Sequence, residues 1–140
     1  MIHLLRIRPG IPAVVLVLFV VCAGCADRIG DAAFPELAGP YLGQGEPPAE
    51  PTLFAPGVVN SGLATRDVAM TPDGGEFYFG VNVGNYALSS VLVTRLVDGR
   101  WTEPETAPFA VDPRYMVMEP HVSPDGRRLF FASDRPHDGD

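Results

Sequence analysis

The sequence has few cysteines, no apolar run long enough to span a membrane, and fewer basic than acidic residues. Its two cysteines stand at positions 22 and 25, so the rest of the chain has no disulfide partner and must be held by its core alone. The longest uncharged apolar run covers residues 11–23, whereas a spanning helix needs about 20 such residues. The sequence contains ten arginines and 17 acidic residues, and this excess of negative charge makes nucleic acid a poor partner.

The sequence also lacks the short motifs that mark common catalytic and cofactor sites. It contains no Gly-x-Ser-x-Gly nucleophile elbow, no His-Glu-x-x-His helix and no phosphate-cradling glycine loop. The acidic loop around His137 does not have the ordered oxygen-ligand spacing of an EF-hand. We therefore predict no catalytic residue, no cofactor and no metal site within these 140 residues.

The N-terminal segment has the pattern of an export signal. Arg6 and Arg8 precede the apolar run 11–23, as a charged region precedes the hydrophobic region of a signal peptide. The run ends in "CAGC", whose small residues before Cys25 resemble the lipobox of bacterial lipoproteins. That resemblance implies a signal peptide over residues 1–24 and a lipid anchor on Cys25.

The same resemblance implies a place for the mature protein at the periplasmic face of the cell envelope. Several acyl chains on one cysteine are enough for stable anchoring. Ala26 after the cysteine favours the outer membrane over the inner one. Cys22 stands where the lipoprotein family has leucine, so an ordinary signal peptide with Cys25 as an incidental thiol stays open.

Residues 25–54 are rich in proline, glycine and glutamate and show no apolar period of 3.6 or 2.0. This composition predicts a tether that lifts the folded part off the membrane. An arm docked on the domain is the alternative, because the segment also carries apolar side chains. These are Phe34, Leu37, Tyr41, Leu53 and Phe54.

From Asp67 onward the pattern predicts an antiparallel meander of four strands. "DVAM" leads into the turn Pro72-Asp73-Gly74, and "EFYFGV", "SVLVTRL" and "RWTE" follow, joined by short polar connections. Two of these strands carry large apolar residues on both faces. A sheet covered on one side alone would alternate between apolar and polar residues, so we predict a sheet covered on both sides.

The sequence pattern of the meander occurs twice, 52 positions apart. "MTPDGGEFYF" at residues 70–79 returns as "VSPDGRRLFF" at residues 122–131, and the second turn is Pro124-Asp125-Gly126. The repeat also matches Asp67 with Glu119. Four-stranded repeats of roughly this length, about 40 to 50 residues, are typical of propeller blades. Two unrelated hairpins with a common turn are the alternative.

The two copies resemble the WD40-like PD40 repeat, which occurs in the β-propeller of the periplasmic protein TolB and in other exported bacterial proteins. The resemblance implies an all-β fold over residues 55–140, with a first antiparallel four-stranded blade at about 55–106 and a second begun at about 107–140. Propellers close with about four to eight blades. One and a half blades form an incomplete ring, so we expect an N-terminal fragment of a longer protein or a truncated reading frame.

The candidate binding residues follow from the repeat. The two Pro-Asp-Gly turns are predicted to be structural. Asp67 and Glu119 are predicted at the start of the innermost strands, which in propellers face the channel, where they would bind a cation or a basic peptide; solvated carboxylates are the alternative. His121 is two residues beyond Glu119 and is predicted on the same side of its strand.

The function expected from this resemblance is that of a membrane-anchored, noncatalytic binding module or scaffold of TolB-like type. Its partners would be the membrane, through the lipid anchor, and a protein or envelope polymer, with no nucleic acid. Two alternatives stay open: the gating propeller of a prolyl-oligopeptidase-like serine hydrolase, and a carbohydrate-active propeller. In both, the catalytic part would lie beyond residue 140.

Overall fold

The computed structural model describes residues 34–136 of the chain. The predicted signal segment 1–24, the predicted anchor residue Cys25 and the acidic loop after residue 136 lie outside the described residues. Among the residues that the structure describes, no helix is both long enough and apolar enough to cross a membrane.

The larger sheet is an antiparallel meander that begins with three full strands. β1 covers Ala64–Met70, β2 covers Glu76–Val83 and β3 covers Leu88–Val97, and β2 lies between the other two. Most residues of β2 are aromatic or β-branched, and β3 carries four β-branched residues; both types fit the pleated surface of a sheet. Short connections at 71–75 and 84–87 reverse the chain, so neighbouring strands run antiparallel.

Two short strands together take the place of a fourth strand beside β3. β4, Arg100–Trp101, pairs with the end of β3, and β5, Glu105–Thr106, pairs with its middle. Between them the Thr102 N–H donates to the Arg95 carbonyl at 2.9 Å, and the Thr102 hydroxyl accepts from the Arg95 N–H at 3.1 Å. The predicted four-stranded meander is therefore present, with its last strand interrupted.

The smaller sheet is a hairpin of β6, Val117–Val122, and β7, Leu129–Ser133. A 3-10 turn at Pro108–Ala110 leads into it, and β6 contacts β1, β2 and β3 of the larger sheet. The two sheets therefore lie against one another. The all-β, antiparallel fold class is confirmed, and in residues 34–136 the sheets form no closed barrel or ring, as in an incomplete propeller.

The core lies between the two sheets. Tyr78, Val91 and Val93 line it from β2 and β3, while Val117 lines it from β6, and all four are buried. Phe109, in the 3-10 turn, has its ring centroid 6.2 Å from that of Tyr78. Burial of such side chains contributes about 1.5 to 3 kcal/mol each, so this core holds the smaller sheet on the larger one.

The opposite face of the larger sheet is covered by residues from the N-terminal segment. Phe54 packs on Phe77 with ring centroids 5.5 Å apart, and Leu42 is fully buried. The backbone of this segment joins the sheet edge, because the Trp101 N–H donates to the Leu37 carbonyl at 2.9 Å. The expectation of a sheet covered on both sides is confirmed, although an irregular segment covers one of them.

This packing differs from the tether that the sequence predicts for residues 25–54. In the described part of that range, the chain is a docked arm along β4 and the outer face of β2. The physical reason is the aromatic face of β2, which would otherwise be exposed to water, and the arm brings Phe54 to it. We call residues 35–63 the arm.

Candidate functional site

Asp67 and Glu119 occupy the same unusual backbone position in the two repeats. Both have a left-handed φ, 54° at Asp67 and 56° at Glu119, which is uncommon for residues other than glycine. Each lies where the pairing register shifts, between Arg66 and Val68 in β1 and between Met118 and His121 in β6. They are therefore bulge residues inside their strands, and the prediction that they start those strands is wrong. Bulges re-aim side chains and often lie beside functional sites.

Arg66 brings the two acidic residues of the different repeats together. Its Nε lies 2.5 Å from Asp67 Oδ2, and its Nη2 lies 3.6 Å from Glu119 Oε1. The pKa of Arg66 is raised above its ordinary value, first by hydrogen bonding to Asp67 and then to Tyr86. The cluster stands at the seam of β1 and β6, where the two sheets meet.

Tyr86 completes this cluster from the β2–β3 turn. Arg66 Nη1 donates to the Tyr86 hydroxyl at 2.7 Å, and the guanidinium carbon lies 5.8 Å from the ring centroid. Three successive residues of the turn have a left-handed φ, and Tyr86 is the last of them at 69°. Such a conformation in an aromatic residue is costly and is common at functional sites.

A cleft of about 350 Å³ opens between Arg66 and Tyr86. Asn82 lines it from β2 and is buried, and its Oδ1 accepts no hydrogen bond from the residues that the structure describes. Its wall includes the amide groups of Asn82 and Asn85, the guanidinium of Arg66 and the phenol of Tyr86. We call Arg66, Asp67, Tyr86 and Glu119 the seam cluster.

His121 does not join the seam cluster. Its imidazole is exposed beside Phe130, with ring centroids 6.4 Å apart. The register shift before His121 interrupts the alternation on which its predicted placement beside Glu119 depends. In residues 34–136, no three His, Cys, Asp or Glu side chains are grouped so that they could hold a metal ion.

The two Pro-Asp-Gly turns have the same hydrogen bonds. Asp73 Oδ1 accepts from the Thr71 hydroxyl at 2.6 Å and from the Gly75 N–H at 3.0 Å. Asp125 Oδ1 accepts from the Ser123 hydroxyl at 2.6 Å and from the following Arg127 N–H at 3.1 Å. These bonds lower the pKa of both carboxyl groups, the hydroxyl bond being the larger cause. Gly74 and Gly126, with φ of 72° and 69°, supply the left-handed step of each turn.

Arg66, Asn82 and Tyr86 were not predicted as site residues. The repeat does not mark them, since position 118, which matches Arg66, is methionine, and position 134, which matches Asn82, is aspartate. One available signal is the glycine at position 80, directly opposite Arg66 in the β1–β2 pairing. A glycine inside an aromatic strand indicates a bulge or a close backbone approach.

Comparison with known proteins does not assign this chain to a family. No protein-family model, no curated protein and no solved structure matches this chain. The resemblance of the two copies to the PD40 repeat therefore stays a prediction.

Proposed function

We propose that this chain is a noncatalytic binding module of TolB-like type, held at the cell envelope by a lipid on Cys25, and that it binds a basic segment of a protein or envelope polymer at the seam cluster. The observation that carries the proposal is the pair of matched acidic bulge residues, Asp67 and Glu119, held around one guanidinium. The acidic excess of the sequence agrees with a cationic ligand.

The ion pair between Arg66 and Glu119 is weak enough to be replaced by a ligand. The Arg66 side chain is 45% exposed and that of Glu119 is 55% exposed. Solvent and salt screen such pairs, and measured surface pairs contribute about 0 to 1 kcal/mol in general. Arg66 thus stands where a ligand guanidinium or ammonium would bind. An incoming cation would exchange with it at small cost.

A binding assay tests the proposed ligand chemistry. The probe is a fluorescent triarginine peptide, and fluorescence anisotropy measures its Kd at two salt concentrations. We expect Glu119→Gln and Asp67→Asn to weaken binding several-fold, and Arg66→Gln to strengthen it, because both carboxylates then become available. Asn and Gln keep the shape, and Asn tolerates the left-handed φ of position 67.

Glu103→Gln is the matched control, since it removes one exposed charge away from the seam. It should leave the Kd of the triarginine peptide unchanged. An equal loss of binding with Glu103→Gln would show that the effect of the seam variants comes from net charge alone. Weaker binding with Arg66→Gln, or preference for a triglutamate peptide, would contradict a cationic ligand.

The anchor is tested separately in a bacterial host that processes lipoproteins. We expect Cys25→Ser to abolish metabolic labelling with palmitate and to release the protein from membranes, whereas Cys22→Ser should leave labelling intact. Labelling that persists in Cys25→Ser would exclude Cys25 as the site of the lipid anchor.

A further inference from the structure

A cavity lies inside the arm, between its first turn and the proline-rich segment that follows. Its volume is about 700 Å³, and sites for small molecules usually measure about 300 to 1,000 Å³. The side chains of Tyr41, Leu53 and Phe54 line it, together with the prolines at positions 47, 48 and 51. We call it the arm cavity. Its wall is mainly apolar and aromatic, as the walls of small-molecule sites are.

One glutamine closes the loop that encloses the arm cavity. Gln44 Nε2 donates to the Leu42 carbonyl, and Gln44 Oε1 accepts from the Ala55 N–H, each at 3.2 Å. These two bonds join the ends of the segment 45–54. The Phe54 ring at the end of that segment is fixed on the larger sheet. The cavity is therefore formed before a ligand arrives, and this lowers the cost of ordering the loop on binding.

The turn before Gln44 holds Tyr41 in an unfavourable backbone conformation. φ is 51° at Tyr41 and 56° at Leu42, in the left-handed region that large side chains rarely adopt. Leu42 is fully buried and fixes the turn, whereas Tyr41 is 60% exposed and lines the arm cavity. Such strained residues are common at sites that hold ligands.

The charges around the arm cavity determine the sign of a fitting ligand. Glu46 and Glu50 line the cavity and are exposed, and no basic residue is among the described residues that line it. An anion would meet two carboxylates and no opposite charge. A cation would meet both carboxylates and the aromatic rings of Tyr41 and Phe54, which attract cations.

We propose that the arm cavity binds a small organic cation, an ammonium group carried on an apolar or aromatic body. The apolar wall takes the body of the ligand, and Glu46 and Glu50 attract its charge. The inference is independent of the function proposed above, since none of the described residues that line this cavity belongs to the seam cluster.

Three small molecules of similar shape and different charge test the proposal: phenethylammonium, 2-phenylethanol and phenylacetate. NMR titration of the full chain at neutral pH and low salt measures the Kd of each. We expect phenethylammonium to bind about five-fold or more tightly than 2-phenylethanol, and phenylacetate to bind least tightly. The double variant Glu46→Gln and Glu50→Gln should remove the preference for the cation, because it keeps the shape of both side chains and removes their charge. Leu53→Ala should weaken phenethylammonium and 2-phenylethanol alike, because it shortens the apolar wall.

Glu103→Gln is the matched control, since it removes an exposed carboxylate that does not line the arm cavity. It should leave the Kd of phenethylammonium unchanged, and so should Glu119→Gln in the seam cluster. The proposal is overturned if phenethylammonium does not bind, if either of the other two molecules binds as tightly, or if the double variant keeps the preference for the cation. It is also overturned if Glu119→Gln weakens phenethylammonium as much as the double variant does, since the cation then binds at the seam cluster.

Discussion

The indole N–H of Trp101 donates a hydrogen bond to the carbonyl of Gly39 across 2.7 Å, and this bond joins residues 62 positions apart. Trp101 is 4% exposed, so it is a packing residue between the sheet edge and the arm. The backbone N–H of Gly39 in turn donates to the Gly99 carbonyl at 3.2 Å. These two hydrogen bonds attach the arm to the β3–β4 turn.

Replacing this tryptophan should loosen the arm. Trp101→Phe keeps a ring but leaves the Gly39 carbonyl without its donor, which costs about 1 to 3 kcal/mol of unfolding free energy. We expect faster cleavage by a Glu-specific protease after Glu36, whose neighbour Leu37 accepts a backbone hydrogen bond from Trp101, measured by mass spectrometry. Tyr41→Phe, in the exposed part of the same arm, should change neither the cleavage rate nor the stability. A Trp101→Phe protein that is cleaved like the original would show that the indole bond is dispensable.

Gly80 should not tolerate any side chain. A Cβ at this position would lie 2.9 Å from the Arg66 carbonyl oxygen, which is backbone and cannot rotate away. We expect Gly80→Ala to cost about 1 to 3 kcal/mol in urea unfolding, as overpacking does elsewhere. Gly45→Ala is the matched control, since no heavy atom lies within 4 Å of its added Cβ. Equal stabilities of the two variants would contradict the close approach.

Tyr78 should make the fold sensitive to alkali. Burial, and then the hydrogen bond that its hydroxyl donates to Glu76 at 2.6 Å, raise the pKa of Tyr78 to about 12. A raised pKa in the folded state stabilises below the unfolded pKa of about 10, and that contribution is lost as pH rises through the folded value. Urea unfolding should therefore show the unfolding free energy falling between about pH 10 and pH 12.

Two variants distinguish this group from the other tyrosines. Tyr78→Phe should flatten the alkaline fall in stability and remove the late-titrating phenol from the absorbance titration at high pH. Tyr115→Phe should leave both unchanged. A full alkaline fall in Tyr78→Phe would assign the effect to other groups.

The two turn aspartates should both make the fold less stable as the pH falls into the acid range. The pKa of Asp73 and of Asp125 is lowered, so each stabilises the fold above the ordinary carboxyl pKa and loses this contribution as pH falls through its lowered value. Asp73→Ala and Asp125→Ala should each lower the unfolding free energy near neutral pH and weaken its dependence on pH in acid. Glu46→Ala, which removes an exposed carboxylate of the arm, should do neither.

The sequence predicted the regular part of the fold well because turns and periodicity have local causes. The "EFYFGV" and "SVLVTRL" segments lie inside β2 and β3, and the turn chemistry of Thr71 to Gly74 is repeated at Ser123 to Gly126. The two-faced apolar strands correctly indicated a sheet covered on both sides. These features depend on neighbouring residues, which a single sequence displays.

The parts that were missed depend on contacts between distant residues. Nothing in the proline-rich segment marks Leu42 as a core residue, although it is fully buried in the fold. The left-handed φ of Asp67 interrupts the alternation of side chains between the two faces of β1. Arg66 then forms the ion pair with Glu119 that links the two repeats. A period-two pattern assumes regular pleating, and a bulge breaks that assumption.

The arm makes the two outer faces of the described sheets unlike. Phe79 lies on the face that the arm covers and is 1% exposed, whereas Phe130, on the outer face of the smaller sheet, is 53% exposed. Water is therefore excluded from one aromatic flank and reaches the other.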